Sequence, residues 1–434
     1  MPEPVRLHLA GFDRHGTTRA RLGRRWIEVE HGIPGETVEA EVRGNRRRPI
    51  GQIVSVLDPS PVRVDPPCPY FREWTCGGCQ WQQIDYAGQL EFKRQSVEAA
   101  MVDAGIDAPI AAIHALSDPW RYRSTAGIAL GKHAGFRRHG SQAIVPIHDC
   151  PISHPRIGQL MADLNRALDE GSIPNYHGRL RLDVRVAGSS PEWVLQCFLR
   201  STRDGDSVGP DAAPLIELLA GMTDVGLMVS RGGEIEVITG ELLSPVEVAG
   251  RTVYLAAASF FQTNLSLLPE LISRLREEAG TGSRIADVYG GVGLFGLFLG
   301  DEANEVVVIE SDPLAVLAGK RTAEAWGWDN IRFVVQPAEE ALATEGCFDI
   351  IVVDPPRTGL NEPVLNQLTA SPSQKILYVS CLAESLARDL RILLDSGYQL
   401  TSLELFDFYP QTYHVELLAV LQRGNSSLRS EGDS

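Results

Sequence analysis

Arg284-Ile-Ala-Asp-Val-Tyr-Gly-Gly-Val-Gly293 is a short apolar run that stops at a tyrosine and a cluster of glycines. Too short for a helix and ended by residues that turn the backbone sharply, it reads as a buried strand. Its carboxyl end meets a ligand-binding loop from which a helix opens. Downstream, Glu305-Val-Val-Val-Ile-Glu310, Phe348-Asp-Ile-Ile-Val-Val-Asp354 and Lys375-Ile-Leu-Tyr-Val-Ser380 are further apolar runs with helical stretches between them. Strands alternating with helices in this way predict an α/β domain over residues 251 to 424, built on a doubly wound parallel sheet.

Upstream the pattern changes. Trp26-Ile-Glu-Val-Glu30, a Gly32-Ile-Pro-Gly35 turn, Thr37-Val-Glu-Ala-Glu-Val42 and Gly51-Gln-Ile-Val-Ser-Val-Leu57 are β-rich runs with turn punctuation, which predict a small β-barrel over residues 1 to 62. The proline-rich stretch Pro59 to Pro67 reads as the linker leaving it. Residues 63 to 250 mix an amphipathic helix over Tyr86 to Ala104 with strands at Thr125 to Leu130 and Arg181 to Val186, a central α+β domain. The tail, residues 425 to 434, is low in complexity and expected to be disordered.

A chain of 434 residues is long enough for two or three such domains. With 44% hydrophobic and 22% charged residues and a mean hydropathy of -0.07, the composition is that of a globular protein rather than a fibrous or disordered one. No run of about 18 apolar residues could span a bilayer, and the first residues lack a signal core, so a cytoplasmic protein is expected. Seven cysteines, an odd number unevenly placed, suit a reducing compartment in which thiols ligate metals or act as nucleophiles. The net charge of -16 argues against a polyanionic partner, but basic residues cluster locally. Arg43-Gly-Asn-Arg46-Arg47-Arg48 is one run; another goes from Trp120-Arg-Tyr-Arg123 to Phe136-Arg-Arg-His139. Such clusters grip phosphates while rings stack on bases, although taken alone they are more often solvated faces.

Roughly twenty residues beyond the glycine loop the second strand ends in Glu310, where a carboxylate can accept hydrogen bonds from both hydroxyls of a ribose. Asp354-Pro-Pro-Arg357 follows the fourth strand; an acid-Pro-Pro turn there occurs in methyltransferases that act on planar bases, and also as a plain exit turn. At the end of the fifth strand, Tyr378-Val-Ser-Cys381 presents a thiol to the same crevice. A lone strand cysteine is usually a small buried hydrophobe, but a thiolate has a use here. Added to C6 of uracil, it makes C5 carbanion-like and able to attack an electrophilic methyl. The C5 proton must then leave to a base. Glu416, in Phe408-Tyr-Pro-Gln-Thr-Tyr-His-Val-Glu416, is the candidate on an expected edge strand, with His414 a rival on the same face. Cys68, Cys76 and Cys79 form C-x7-C-x2-C, and Cys150 lies farther on; four thiolates suit zinc or an iron-sulfur cluster, and spacing does not decide between them. Cys197 and Cys347 have no motif around them and are expected in the core.

Together, Asp354-Pro-Pro-Arg-Thr-Gly359, Tyr378-Val-Ser-Cys381 followed by Leu386-Ala-Arg-Asp389, and Pro410-Gln-Thr-Tyr-His-Val-Glu416 resemble the signatures of RNA 5-methyluridine methyltransferases with an N-terminal TRAM domain. The resemblance covers nearly the whole chain. It implies a Rossmann-like class I methyltransferase domain and an OB-like TRAM barrel. It implies S-adenosylmethionine bound by Gln262 of Phe260-Phe-Gln-Thr-Asn264, Tyr289, Glu310 and Asp354, and catalysis by Cys381 and Glu416. It also implies a 4Fe-4S cluster on Cys68, Cys76, Cys79 and Cys150 and an RNA partner, 23S ribosomal RNA ahead of the T-loop of transfer RNA. Leu382, Ser385, Gly290 and Tyr409 stand where the family usually has Asn, Thr, Cys and Phe; none of these removes a reacting group. Rival classes fit less well. Radical methylthiotransferases need C-x3-C-x2-C, cytosine C5 enzymes commonly show Pro-Cys where this chain has Ser380-Cys381, and a vestigial RNA-binding factor has no need of Cys381, Glu416, Asp354 and Glu310 together. The sequence leaves the oligomeric state unread.

Overall fold

The computed structural model describes residues 3–45, 48–73, 75–187, 194–203 and 206–424. Arg46 and Arg47 of the first basic run and the 425–434 tail lie outside the described residues.

Strands Val5–Phe12, Thr18–Leu22, Arg25–Glu30, Thr37–Asn45 and Arg48–Asp58 close into a barrel. Alternation along each strand turns Leu7, Leu9, Ala20, Ile27, Val29, Val38 and Ala40 inward, and closure leaves no unpaired sheet edge. The middle of the chain builds a seven-stranded sheet, in the order Glu234–Thr239, Val225–Arg231, Val194–Ser201, Leu180–Ala187, Thr125–Leu130, Ala134–Arg137, Ile144–Pro146. Helices Pro155–Asp169 and Ala213–Ala220 contribute Leu160, Leu164, Leu215 and Leu219 to a shared core with Ile128, Leu182, Leu199 and Leu227 of the strands. Residues of opposite parity, among them Arg181, Asp183 and Arg200, face away from that core.

The last part is an eight-stranded sheet ordered Ile331–Val335, Glu305–Glu310, Arg284–Val288, Ile350–Val353, Lys375–Ser380, Glu416–Arg423, Tyr398–Phe406, Ala112–His114. Its first five strands are parallel, as the alternating pattern predicts. The sheet as a whole is mixed, because Glu416–Arg423 runs antiparallel to both neighbours. That corrects the expected edge position of Glu416. Leu417 through Leu421 are apolar and buried without alternation, which is the pattern of a strand covered on both faces and so placed inside the sheet. At the far edge, Ala112–His114 pairs with Tyr398–Phe406, so a segment from early in the chain joins the sheet of the late one. The helix Tyr86–Asp103, whose N-cap Asp85 accepts the Gly88 N–H at 2.6 Å, sends Val97 and Met101 into the same core. No helix among the described residues is long and apolar enough to cross a membrane.

Candidate active site

Parallel strands deliver their carboxyl ends to one rim. Val288 lies beside Ile309 and Val353, and Val353 beside Tyr378. In the antiparallel pair Ser380 faces Leu417, so the same register carried one step further sets Cys381 opposite Glu416. Tyr289, Glu310, Asp354, Cys381 and Glu416 therefore share that rim, where open α/β sheets bind ligands.

At the glycine loop, Gly291 and Gly293 take left-handed φ values of 58° and 77°, which glycine adopts without a Cβ penalty. Tyr289 does so too, at 61°, with its ring half-buried. The turn brings the Gly291 N–H to Glu310 Oε2 at 3.0 Å, while Oε1 accepts the N–H groups of Ser311 at 2.6 Å and Asp312 at 2.7 Å. Three backbone donors thus fix the orientation of the Glu310 carboxylate. Behind the loop, buried Asp287 caps Gly296 N–H at 2.8 Å, and burial pushes its carboxyl up to about 7.

Gln262 is buried and its Oε1 has no hydrogen-bond partner among the described residues. The segment that carries it is gripped by the central sheet. Arg185 donates to the carbonyls of Ala256 at 2.9 Å and Ser259 at 2.6 Å, and the Ser124 N–H donates to Thr263 O at 2.8 Å. Beyond it, Asn264 Nδ2 donates to Phe408 O at 3.2 Å.

Cys381 is half-buried. Burial, then the nearby Glu416 carboxylate, pushes its thiol up to about 11, and the Arg357 guanidinium, hydrogen-bonded to the sulfur, pulls the other way. Glu416 is 2% exposed; burial and the charge of Asp354 raise its carboxyl well above the usual range, again opposed by Arg357. Asp354 is pushed up to about 7 by burial and by Asp287. Arg357 thus opposes the upward push on both the Cys381 thiol and the Glu416 carboxyl. The sequence motif contained this arginine, but nothing local announced that role. His414 lies ahead of the strand rather than on its face: its Nδ1 is 3.2 Å from Arg357 Nη2 and its ring centroid 4.1 Å from that of Tyr413. Burial, with Arg357 beside it, holds its imidazole down at about 4.

Cys68, Cys76, Cys79 and Cys150 line one cavity of about 290 Å³. All four are free thiols. Burial raises the first three, Cys76 to about 11, and the charges of the neighbouring thiols push the same way. Among the described residues no three His, Cys, Asp or Glu side chains close on a single metal ion. Cys197 is in the core as expected. Cys347 is exposed, contrary to expectation, because it sits in the loop before Ile350–Val353 rather than on that strand.

One feature escaped sequence reading. Beside the Gln262 segment, Arg123, Arg181, Arg185, Arg200, Phe198 and Phe260 line a groove of about 510 Å³. Asp183 Oδ1 and Oδ2 each accept a hydrogen bond at 2.6 Å, from Arg181 and Arg200, and Phe260 is 75% exposed. Guanidinium groups beside an exposed ring can hold phosphates and stack a base. The signal was the period-two spacing of Arg181, Asp183 and Arg185, which marks one face of a strand.

A family model described as tRNA (Uracil-5-)-methyltransferase matches residues 85–424. An RNA methyltransferase of Thermosynechococcus vestitus, described as uncharacterized, is 30% identical over 440 residues, covering 96% of this chain and 97% of its own length. A second from Caldanaerobacter subterraneus is 32% identical over 424 residues, covering 92% and 94%. In fold, the chain resembles the Pyrococcus abyssi tRNA (uracil-54, C5)-methyltransferase crystallised with S-adenosyl-L-homocysteine, with a TM-score of 0.76 at 24% identity over 96% of this chain and 100% of that one. The family match spans the whole parallel sheet and its rim, and relatives align along nearly the full length: the chain belongs to the tRNA (uracil-5-)-methyltransferase family and is an RNA-methylating enzyme.

Proposed function

We propose that the enzyme methylates C5 of a uridine in RNA, with Cys381 as covalent nucleophile and Glu416 as general base. The observation that carries this reading is that the Cys381 thiol, just past the end of its strand, lies near the buried Glu416 carboxyl at the ligand rim of the sheet. S-adenosylmethionine supplies an electrophilic methyl. The Cys381 thiolate, stabilised by Arg357, adds to C6, and the electron pair moves through the ring to make C5 nucleophilic. Once C5 has taken the methyl, Glu416 removes the C5 proton; the C5–H electron pair re-forms the C5=C6 double bond as the C6–S bond breaks and the thiolate leaves. A carboxylate raised by burial is a stronger base for that step than an exposed one. Glu310 would receive the ribose hydroxyls, and Gln262, Tyr289 and Asp354 complete the cofactor contacts. The RNA strand would cross the arginine groove, with the N-terminal barrel acting as a TRAM domain that adds phosphate contacts.

Four thiols around a cavity of about 290 Å³ fit a 4Fe-4S cluster better than one zinc ion, whose ligands would converge on a point. With every iron capped by a sulfur, such a cluster staples the Cys68–Cys79 loop to Cys150. Anaerobically purified protein should be brown and hold about four iron atoms per chain; a colourless preparation carrying one zinc would refute the assignment.

The resemblance of the thiol set and barrel to those of ribosomal-RNA enzymes supports 23S ribosomal RNA, ahead of transfer RNA, as the substrate. Mass-spectrometric mapping of 5-methyluridine in cells with and without the gene should show a site lost from 23S RNA. Loss from transfer RNA alone overturns the substrate and keeps the reaction; no loss from any RNA overturns both.

A further inference from the structure

We infer that Gln89 is a positioning residue for the active site, tying the loop that carries Cys76 and Cys79 to the turn that aims Glu416; the inference rests on Glu416 being the base. Between Phe406 and Glu416 the chain forms no strand, so its path depends on what holds it. At its middle, Gln411 is buried in the left-handed region, φ 69°, a conformation that a non-glycine residue keeps only when its surroundings enforce it.

Gln89 supplies much of that enforcement. Its Oε1 accepts the Gln411 N–H at 2.8 Å, and its Nε2 donates to Gln411 Oε1 at 3.0 Å. The same Nε2 lies 3.1 Å from Trp81 O and 2.9 Å from Ile84 O. The Gln411 carbonyl in turn accepts the N–H groups of Gln80 at 3.1 Å and Trp81 at 3.0 Å, immediately after Cys79. Gln89 is fully buried, so each of these bonds is shielded from water. One turn further along the same helix face, buried Lys93 donates to Asp407 Oδ1 at 2.6 Å and to Tyr409 O at 3.0 Å. A single helix face therefore holds the catalytic loop at its start and at its middle.

The other side of the loop is closed by the barrel. Trp81 Nε1 donates to Gly16 O at 2.8 Å, and Gly16 leaves no room for a Cβ against Tyr413. From Gln411 the loop leads through Tyr413 and His414 to Arg357, and Arg357 meets Cys381. A displacement of the thiol-bearing loop would thus reach both reacting groups, though Gln89 touches neither.

The test compares Gln89→Met, Gln411→Gly and the double variant with the wild type and with Glu416→Gln, in the full-length holoenzyme. Glycine adopts φ near 69° unaided, so Gln411→Gly should lessen the need for Gln89. Gln89→Met should keep S-adenosylmethionine affinity and iron content, lose about a hundredfold in kcat through a misplaced base, and accumulate RNA–protein adduct. The double variant should regain at least about tenfold of that loss. Wild-type kcat and adduct lifetime in Gln89→Met overturn the inference, as does a loss that merely tracks melting temperature or is not relieved in the double variant. If Glu416→Gln turns over normally, the reading of Glu416 fails instead.

Discussion

Cys381→Ala enzyme will bind S-adenosylmethionine and RNA yet form no thioether and transfer no methyl, with kcat down by at least about four powers of ten. Without addition at C6, uracil C5 is too poor a nucleophile to take the methyl. The thiol's environment predicts how the wild type responds to pH. Burial and Glu416 push it up to about 11, so the thiolate is the minor form at neutrality and its fraction grows as pH rises towards that value. Single-turnover adduct formation should climb with pH, and Arg357→Ala should shift the climb upward. Denaturing gels with labelled RNA read the adduct directly. An adduct surviving in Cys381→Ala would break the scheme, because no other free cysteine stands at this rim. Cys197 is in the core, Cys347 precedes the amino end of its strand, and the remaining four line a separate cavity.

Glu416→Gln should fail later in the cycle. Addition and methyl transfer precede proton removal, so the variant transfers one methyl and then stalls as a gel-resistant complex, with multiple-turnover kcat reduced about 10²- to 10⁴-fold. Folding should survive the change. Because the buried Glu416 carboxyl is raised, its ionisation costs stability as pH rises above the ordinary carboxylate range, a cost that the neutral isostere lacks. Its melting temperature should therefore equal or exceed that of the wild type at neutral pH. Normal turnover would move the base elsewhere, and His414, with Nδ1 at 3.2 Å from a guanidinium and its imidazole held down at about 4, is poorly disposed to take it up.

The Glu305–Glu310 and Lys375–Ser380 strands are bounded as their apolar runs predict. Tyr289, Glu310, Asp354 and Cys381 were nameable from sequence because each ends or directly follows such a run, and a strand end plus its turn is a local property of a few residues; Glu416 instead begins its strand. Charge on an open face was harder to read. The arginine groove assembles from Arg123, Arg181 and Arg200 together with Phe260, which belong to separate segments, and the overall charge of -16 conceals it.

The sequence by itself determined the parallel half of the sheet, the barrel's alternation and the identity of the rim residues, since burial period and turn chemistry are written within short windows. Only the tertiary structure decided that Glu416 begins an interior antiparallel strand beside Cys381, that Ala112–His114 completes a sheet built mostly from the far end of the chain, and that Lys93 meets Asp407. Gln89 and Gln411 are 322 positions apart. No local preference links them. Each is a buried polar group that must find a partner, and the partner becomes available only when the whole chain has packed.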